Sequence, residues 1–406
     1  MHNETAFVLT VVVLCYAVIS GLIRKWYVAP ALIFMACGMV LGPFGLGLID
    51  VGADAESYTI LGQLALTVIL FNQAAQLDLN SAFRRRHATF RLLFIGIPLT
   101  IALGAGTAVL LLPVLPLWEA VCLAAIVAPT EVALIDALLE DRRIPEQVRH
   151  ALSVESGCYD GFALAALFAA LALASESVVG NASAWGWFFV RTEVLSLLIG
   201  LVIGTAGGLV MSTFRRHGWM ISSWAQLATV AVALVCFATA EGVHGSGFVA
   251  AFAGGLGFAL VARRTGDSQP MQFSDSIGQL LEFLLFAMFG GYALIIGWRD
   301  VSWRVVGFAV VVVFVVRLIA VLVALWGTEL PPRSRGFIGW FGPRGIGTLV
   351  LGLLVIEQGQ IEQATLITQV VAVVVSISLV VHSVTAPLGI KLVSADRLLA
   401  SREPSV

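Results

Sequence analysis

Six ionisable residues stand in stretches that are otherwise apolar: Glu131, Glu155, Asp160, Glu282, Arg317 and Arg344. Each costs about 2.5–3.5 kcal/mol at the centre of a bilayer on insertion scales, so each needs a function or a partner. Glu131 closes APTE (128–131), Glu155 and Asp160 share SVESGCYDGFAL (153–164), and Arg344 lies in FGPRG (341–345). Carboxylates, hydroxyls and carbonyls freed by a proline are hard oxygen ligands, suited to a small cation or a proton. No nucleophile–base pair, cofactor loop or metal-ligand cluster accompanies them. An enzyme is therefore not expected, and neither is a cofactor.

The elements that must position these groups are membrane helices. Of the 406 residues, 59% are apolar and only 12% charged, about half the charged share of a soluble domain. Mean hydropathy is +0.97. A net charge of −2 with no basic region gives no reason to expect nucleic acid. The five cysteines lie singly in apolar runs, with neither metal spacing nor a disulfide framework. Residues 6–23 are long enough to span and follow no basic region, so a first span rather than a signal peptide is expected.

Breaking the chain at polar or Gly/Pro-rich points predicts thirteen spans, at 6–23, 28–48, 58–77, 89–112, 118–139, 148–174, 186–213, 222–240, 244–262, 276–297, 302–326, 336–356 and 362–389. The loops test the count. With the N-terminus outside, the inner segments hold Arg24, Lys25, Arg84 to Arg86, Arg91, Arg142, Arg143, Arg149, Arg215, Arg216, Arg263, Arg264, Arg333, Arg335, Lys391, Arg397 and Arg402. The outer loops offer Arg191, Arg299 and Arg304. Basic residues gather on the cytoplasmic side, and a wrong count would scramble that alternation. The expected topology is thus N-terminus outside, C-terminus inside, in a multi-pass protein of the cell (inner or plasma) membrane. Trp26, Trp118, Trp185, Trp187, Trp219, Trp298, Trp303 and Trp326 fall near span ends, as an interfacial belt requires.

Thirteen divides as six, one and six, and the two six-helix halves would have opposite topology. Span five of the chain and span twelve each carry an internal proline, Pro129 and Pro343. Matching interrupted helices in inverted halves point to a transporter's binding site. Depth then sorts the charges. Asp160 lies about 18 Å from the cytoplasmic face and Glu131 about 20 Å from the other, so both are near the midplane. Ser156 shares the Asp160 face of its helix, and Thr130 sits beside Glu131. A lone acid there would read as a permanently protonated group; two at one depth, one beside a broken helix, read as an exchange site. Glu155 is about 10 Å and Arg344 about 12 Å from the cytoplasmic side. A Glu155–Arg344 pair is the simplest way to bury both. Arg317 and Glu282 reach similar depths, so Glu155–Arg317 is the alternative.

APTEVAL (128–134) followed by IPEQVRHALSVESGCYDG (144–161) resembles the monovalent cation:proton antiporter-1 family, of the sodium/proton exchanger type. FIGWFGPRGIGTLVLGLLVIE (337–357), GSGFVAAFAGGL (245–256) and RLLFIGIPLTIALG (91–104) are similar to it as well, so the likeness covers essentially the whole chain. The resemblance implies an elevator-type exchanger, usually a homodimer. Residues 88–175 and 302–390 would form the moving core, 1–80 and 222–297 the scaffold, 186–213 a linker helix and 391–406 a short cytoplasmic tail. Helices five and twelve would be the crossed, unwound pair. Asp160 would bind cation or proton in turn, Ser156 and Thr130 would help ligate, and Glu155 with Arg344 would be a stabilising pair. Three positions depart from the family pattern: Tyr159 replaces an Asn, Glu131 an Asp, and Gln73, in FNQAAQLD, a frequent carboxylate.

The expected function is exchange of a monovalent cation, Na+ or K+, for protons, with Asp160 shared between them. Two alternatives stand beside it. The altered Tyr159, Glu131 and Gln73 suit a proton-coupled transporter of another substrate on the same scaffold. The third reading is a non-transporting sensor or interaction protein.

Overall fold

The computed structural model describes residues 2–26, 28–49, 55–77, 88–131, 141–174, 190–265, 272–357 and 361–400. Every regular element among them is helical. In chain order these are α1 (His2–Arg24), α2 (Pro30–Leu41), α3 (Ala55–Gln76), α4 (Ala88–Leu111), α5 (Leu117–Val127), α6 (Glu146–Ala174) and α7 (Ser196–Arg216). They continue as α8 (Ser222–Gly242), α9 (Gly247–Thr265), α10 (272–298), α11 (Trp303–Ala324), α12 (Pro332–Trp340), α13 (Ile346–Glu357) and α14 (Ala364–Ala400). Among the described residues, nine helices are long and apolar enough to cross a membrane, and four shorter ones are apolar: α2, residues 60–76 of α3, α5 and part of α13. Each overlaps a different one of the thirteen expected segments. In hydrocarbon this is the outcome backbone chemistry forces, since a helix satisfies its own N–H and C=O groups.

Several boundaries differ from the sequence reading. α2 stops at Leu41 rather than near 48, because Gly42 and Pro43 follow and the chain turns through Gly47 at φ +66°. Residues 391–400, expected as a tail, continue α14, which carries Pro387 in its interior. In span five the helix α5 ends at Val127, and the rest of the expected span beyond Glu131, 132–139, lies outside the described residues. Span twelve is two helices, α12 and α13, separated by non-helical residues 341–345.

The chain divides into two compact units. One comprises residues 60–79 and 160–282, and holds most of α3, the second half of α6, α7 to α9 and the start of α10. Its α7 and α9 approach to backbone contact: a Cβ on Gly200 would meet the Ala250 carbonyl at 2.1 Å, and one on Gly204 the Gly254 carbonyl at 1.9 Å. Small residues four apart let membrane helices come this close.

The other unit comprises residues 1–59, 80–159 and 283–406. Leu92 of α4, Val148 and Leu152 of α6, Val321 of α11, Phe337 of α12 and Ile390 of α14 share one apolar core within it. This core packs α12, which leads into the second interruption, against α4, α6, α11 and α14. α11 begins at the N-cap Ser302, whose side chain accepts from Val305 N–H, and it contains a π-turn, Val311–Val316, ending one residue before Arg317.

Candidate functional site

α5 ends at Val127, just before Pro129, which has no backbone donor to continue it, and Ala128 to Glu131 are non-helical. Thr130 and Glu131 are buried there. Donors from other elements take carbonyls of this stretch. Arg344 Nη1 donates to Ala128 O and, at 3.1 Å, to Pro129 O. Ser156 Oγ donates to Thr130 O. The main chains of the two interruptions also meet, Glu131 N–H donating to Pro343 O at 2.9 Å. The prolines flagged in the sequence therefore mark two breaks that bond to each other. The carbonyls expected to be open for a cation are occupied by protein donors.

Glu155 is buried on α6 and pairs with Arg317 of α11: Nη1 to Oε1 at 2.9 Å and Nη2 to Oε2 at 3.2 Å. Arg317 Nη2 also donates to Ile338 O at 3.1 Å. The expected Glu155–Arg344 pair is not formed, and the alternative partner holds Glu155. Depth along the membrane could not separate the two arginines, because both lie at similar heights and only rotation about the helix axes distinguishes them. The π-turn before Arg317 adds a residue to that rotation, a shift apolar patterning does not reveal.

The FGPRG glycines make room for these charges. A Cβ on Gly342 would lie 1.9 Å from Arg317 Nε, and one on Gly345 would lie 2.7 Å from Glu131 Cβ. Glu131 thus lies against the first turn of α13, where the helix dipole favours a carboxylate. Arg344 is fully buried, and its Nε and Nη2 have no hydrogen-bond partner among the described residues.

Tyr159 is fully buried, within electrostatic reach of Arg344, Arg317 and Glu155 and beside the Thr100 hydroxyl. Asp160 follows it on α6, but its side chain lies outside the described residues. Gln73, half-buried on α3, and Glu282, buried on α10, belong to the other compact unit, as Asp160 does.

The sodium/hydrogen exchanger transmembrane family matches residues 9–391. The chain belongs to this exchanger family. It is accordingly a multi-pass membrane transporter and not an enzyme. Among curated proteins, this exchanger is 28% identical over 372 residues to the Na(+)/H(+) antiporter NhaH of Halobacillus dabanensis, covering 86% of this chain and 88% of that one. It is 26% identical to the K(+)/H(+) antiporter NhaP2 of Shewanella baltica and 25% identical to a probable Na(+)/H(+) antiporter of Schizosaccharomyces pombe. The match spans 62% of the Shewanella protein's length and 48% of the yeast protein's. The solved structure of the sodium proton antiporter MjNhaP1 from Methanocaldococcus jannaschii has the same fold, with a TM-score of 0.80 at 18% identity over 97% of this chain and 98% of that one.

The structure also shows buried polar residues that sequence reasoning passed over. Ser378 and His382 of α14 are buried, and Arg344 N–H donates to Ser378 Oγ at 2.9 Å. Glu119, buried at the start of α5, accepts from Glu362 N–H at 2.9 Å. A signal for the α14 pair existed: Ser378 and His382 are four residues apart in an apolar run, hence on one helix face.

Proposed function

We propose that the protein exchanges a monovalent cation, Na+ or K+, for protons, with the Asp160 carboxylate binding one or the other. The observation that carries this reading is the bonded pair of helix interruptions, with Ser156 from the Asp160 helix fastened to Thr130 O. With Arg344 and Ser156 donating to the carbonyls of 128–130, side chains are the principal candidate ligands. Asp160, the Ser156 and Thr130 hydroxyls and Glu131 are the oxygens left for a cation. This shared-site chemistry suffices for coupling: the carboxylate is either protonated or metal-bound, and only those two states cross.

Charge balance supports one-for-one, electroneutral exchange. Around the interruptions, Glu131 and Glu155 are matched by Arg317 and Arg344, so Asp160 adds a single uncompensated charge that one cation or one proton neutralises. The names of the Halobacillus and Shewanella relatives favour sodium and potassium as the candidates. The fuller arrangement is thirteen spans in inverted halves, N-terminus outside and C-terminus inside, with helices five and twelve crossed. In it the core (88–175 and 302–390) moves against the scaffold (1–80 and 222–297) in a homodimer. The basic-residue alternation and the family resemblance support it.

Tyr159 favours a second reading. A buried phenol stands where the family carries a compact Asn, and it lies in the field of both arginines. On that reading another substrate is moved by protons, and Tyr159→Asn with Glu131→Asp creates alkali-cation exchange absent from the native chain. Proteoliposomes with an imposed pH gradient decide the matter, with sodium, potassium and lithium added in turn to wild type and Asp160→Asn. Cation-dependent dissipation by wild type and none by Asp160→Asn is expected. No dissipation with any of the three ions sinks the exchange reading.

A further inference from the structure

α2, the end of α10 and α14 enclose a groove of about 1000 Å³, walled by Met35 and Met39 of α2, Leu294 and Ile296 of α10, and Ile377 and Val380 of α14. That volume is at the top of the range for a small-molecule site. The wall is apolar except at Trp298, Ser376 and Arg299. Two of these are already satisfied. The Trp298 indole N–H donates to Ser376 Oγ at 2.9 Å, and Ser376 Oγ donates to Val373 O at 3.0 Å. Apart from Arg299, the described wall therefore offers a ligand no unused polar side chain, and the occupant it suits is an apolar chain.

Arg299 is different. Its Nε is 4.0 Å from Asp300 Oδ2, beyond hydrogen-bond distance, and both side chains are more than three-quarters exposed. It stands at one end of the groove. Its carbonyl accepts from Gln369 Nε2 of α14 at 3.3 Å, and Val381, the farthest wall residue of that helix, lies twelve positions further on. Twelve helical residues rise about 18 Å, close to the roughly 15 Å of one leaflet's hydrocarbon. The basic-residue alternation puts Arg299 on the outer side, where basic residues are scarce. A guanidinium at the head of a leaflet-deep apolar groove matches a phospholipid, whose phosphate it can fork.

Met39, Ile296 and Val380 are exposed, so the groove opens to the surrounding bilayer. A second copy of the chain fits it poorly. A twofold interface sets a patch against itself, and two grooves face to face enclose a larger void instead of a packed core.

We propose that the groove between α2, α10 and α14 is a binding site for one phospholipid, with an acyl chain laid along Met35, Leu294 and Ile377 and the phosphate held by Arg299. α14 also carries Ser378, which accepts from Arg344 N–H, so the lipid flanks the helix that steadies the second interruption. Lipid binding here does not depend on the exchange reading, and its test requires no transport.

The test is photolabelling of the full chain, delipidated in detergent, by a phosphatidylglycerol with a diazirine in its acyl chain, the labelled residues being mapped by mass spectrometry. Label on the groove residues should saturate at one lipid per chain, while label on the exposed face of α1 rises without saturating. Ala36→Trp places a large ring in the groove from an exposed wall position and should lower groove label about tenfold, leaving α1 label unchanged; Val380→Trp serves if that variant does not fold. Unlabelled phosphatidylglycerol should compete about threefold better than a diacylglycerol of the same chains, the worth of an exposed ion pair, and Arg299→Gln should abolish that difference. Groove and α1 label rising in parallel would mean surface lipid only and overturn the proposal, as would equal competition by the diacylglycerol in wild type. An unlabelled groove with Met39→Cys chains cross-linking to one another would assign the face to a second copy, which overturns it too.

Discussion

The two interruptions, 128–131 and 341–345, occupy corresponding places in the two halves of the sequence, yet their chemistry is opposite. The α5 break is rich in acceptors: three successive carbonyls and the Glu131 carboxylate. All three carbonyls are taken by side-chain donors from elsewhere, two by Arg344 and one by Ser156. The α12–α13 break supplies the donor, Arg344, and is itself steadied by side chains of α14 and by Arg317 on Ile338 O. Each break contains a proline, but the first offers mainly acceptors to the second, and only the second carries a guanidinium, while its Pro343 O accepts from Glu131 N–H. Their complementarity satisfies backbone groups that a medium without water would leave bare.

Variants that disturb one break and not the other sharpen this contrast. The largest loss is expected from the strut beneath the second break. Arg317→Met or Glu155→Gln strands a buried charge and should cost about 3–5 kcal/mol, read as a large fall in thermal unfolding temperature in detergent. The Glu155→Gln/Arg317→Met double variant should recover most of that loss, and singles that melt like wild type would contradict the pairing. Next comes Arg344→Gln, which weakens the link between the breaks. Each carbonyl left bare costs about 1–3 kcal/mol, and exchange should be lost while the Glu155–Arg317 strut keeps the protein folded. Gly342→Ala pushes a methyl into Arg317, an overpacking cost of about 1–3 kcal/mol. Since it displaces the strut, it should add little to Arg317→Met, which a double-variant melt would show. Smallest is Ser378→Ala, which removes one hydrogen bond to Arg344 N–H and should cost about 1 kcal/mol, with exchange slowed but present.

Much of this was legible in the sequence. Thirteen apolar segments pointed to a multi-pass membrane transporter, and the prolines of APTE and FGPRG to the two non-helical stretches that bond to each other. Three features were not legible, each for a physical reason. Helix rise gives depth but not rotation, so the sequence could not choose between Arg317 and Arg344 for Glu155. Hydropathy reads through Gly42 and Pro43, so α2 looked longer than its hydrogen bonding allows, and α14 looked shorter because polar residues do not by themselves stop a helix. His382 was hidden because a single histidine in an apolar run has no meaning until its two carbonyl partners, one of them 42 residues away, are in place.

The central claim is that one carboxylate, Asp160, holds cation or proton but never both. Its most direct test is the pH dependence of the apparent KM for the driving cation in reconstituted vesicles, alongside Asp160→Asn. Competition for one site predicts that KM rises about tenfold for each unit of falling pH on the acid side, with the maximal rate unchanged, and that Asp160→Asn is inactive at every pH. A KM independent of pH, together with exchange surviving in Asp160→Asn, would contradict it.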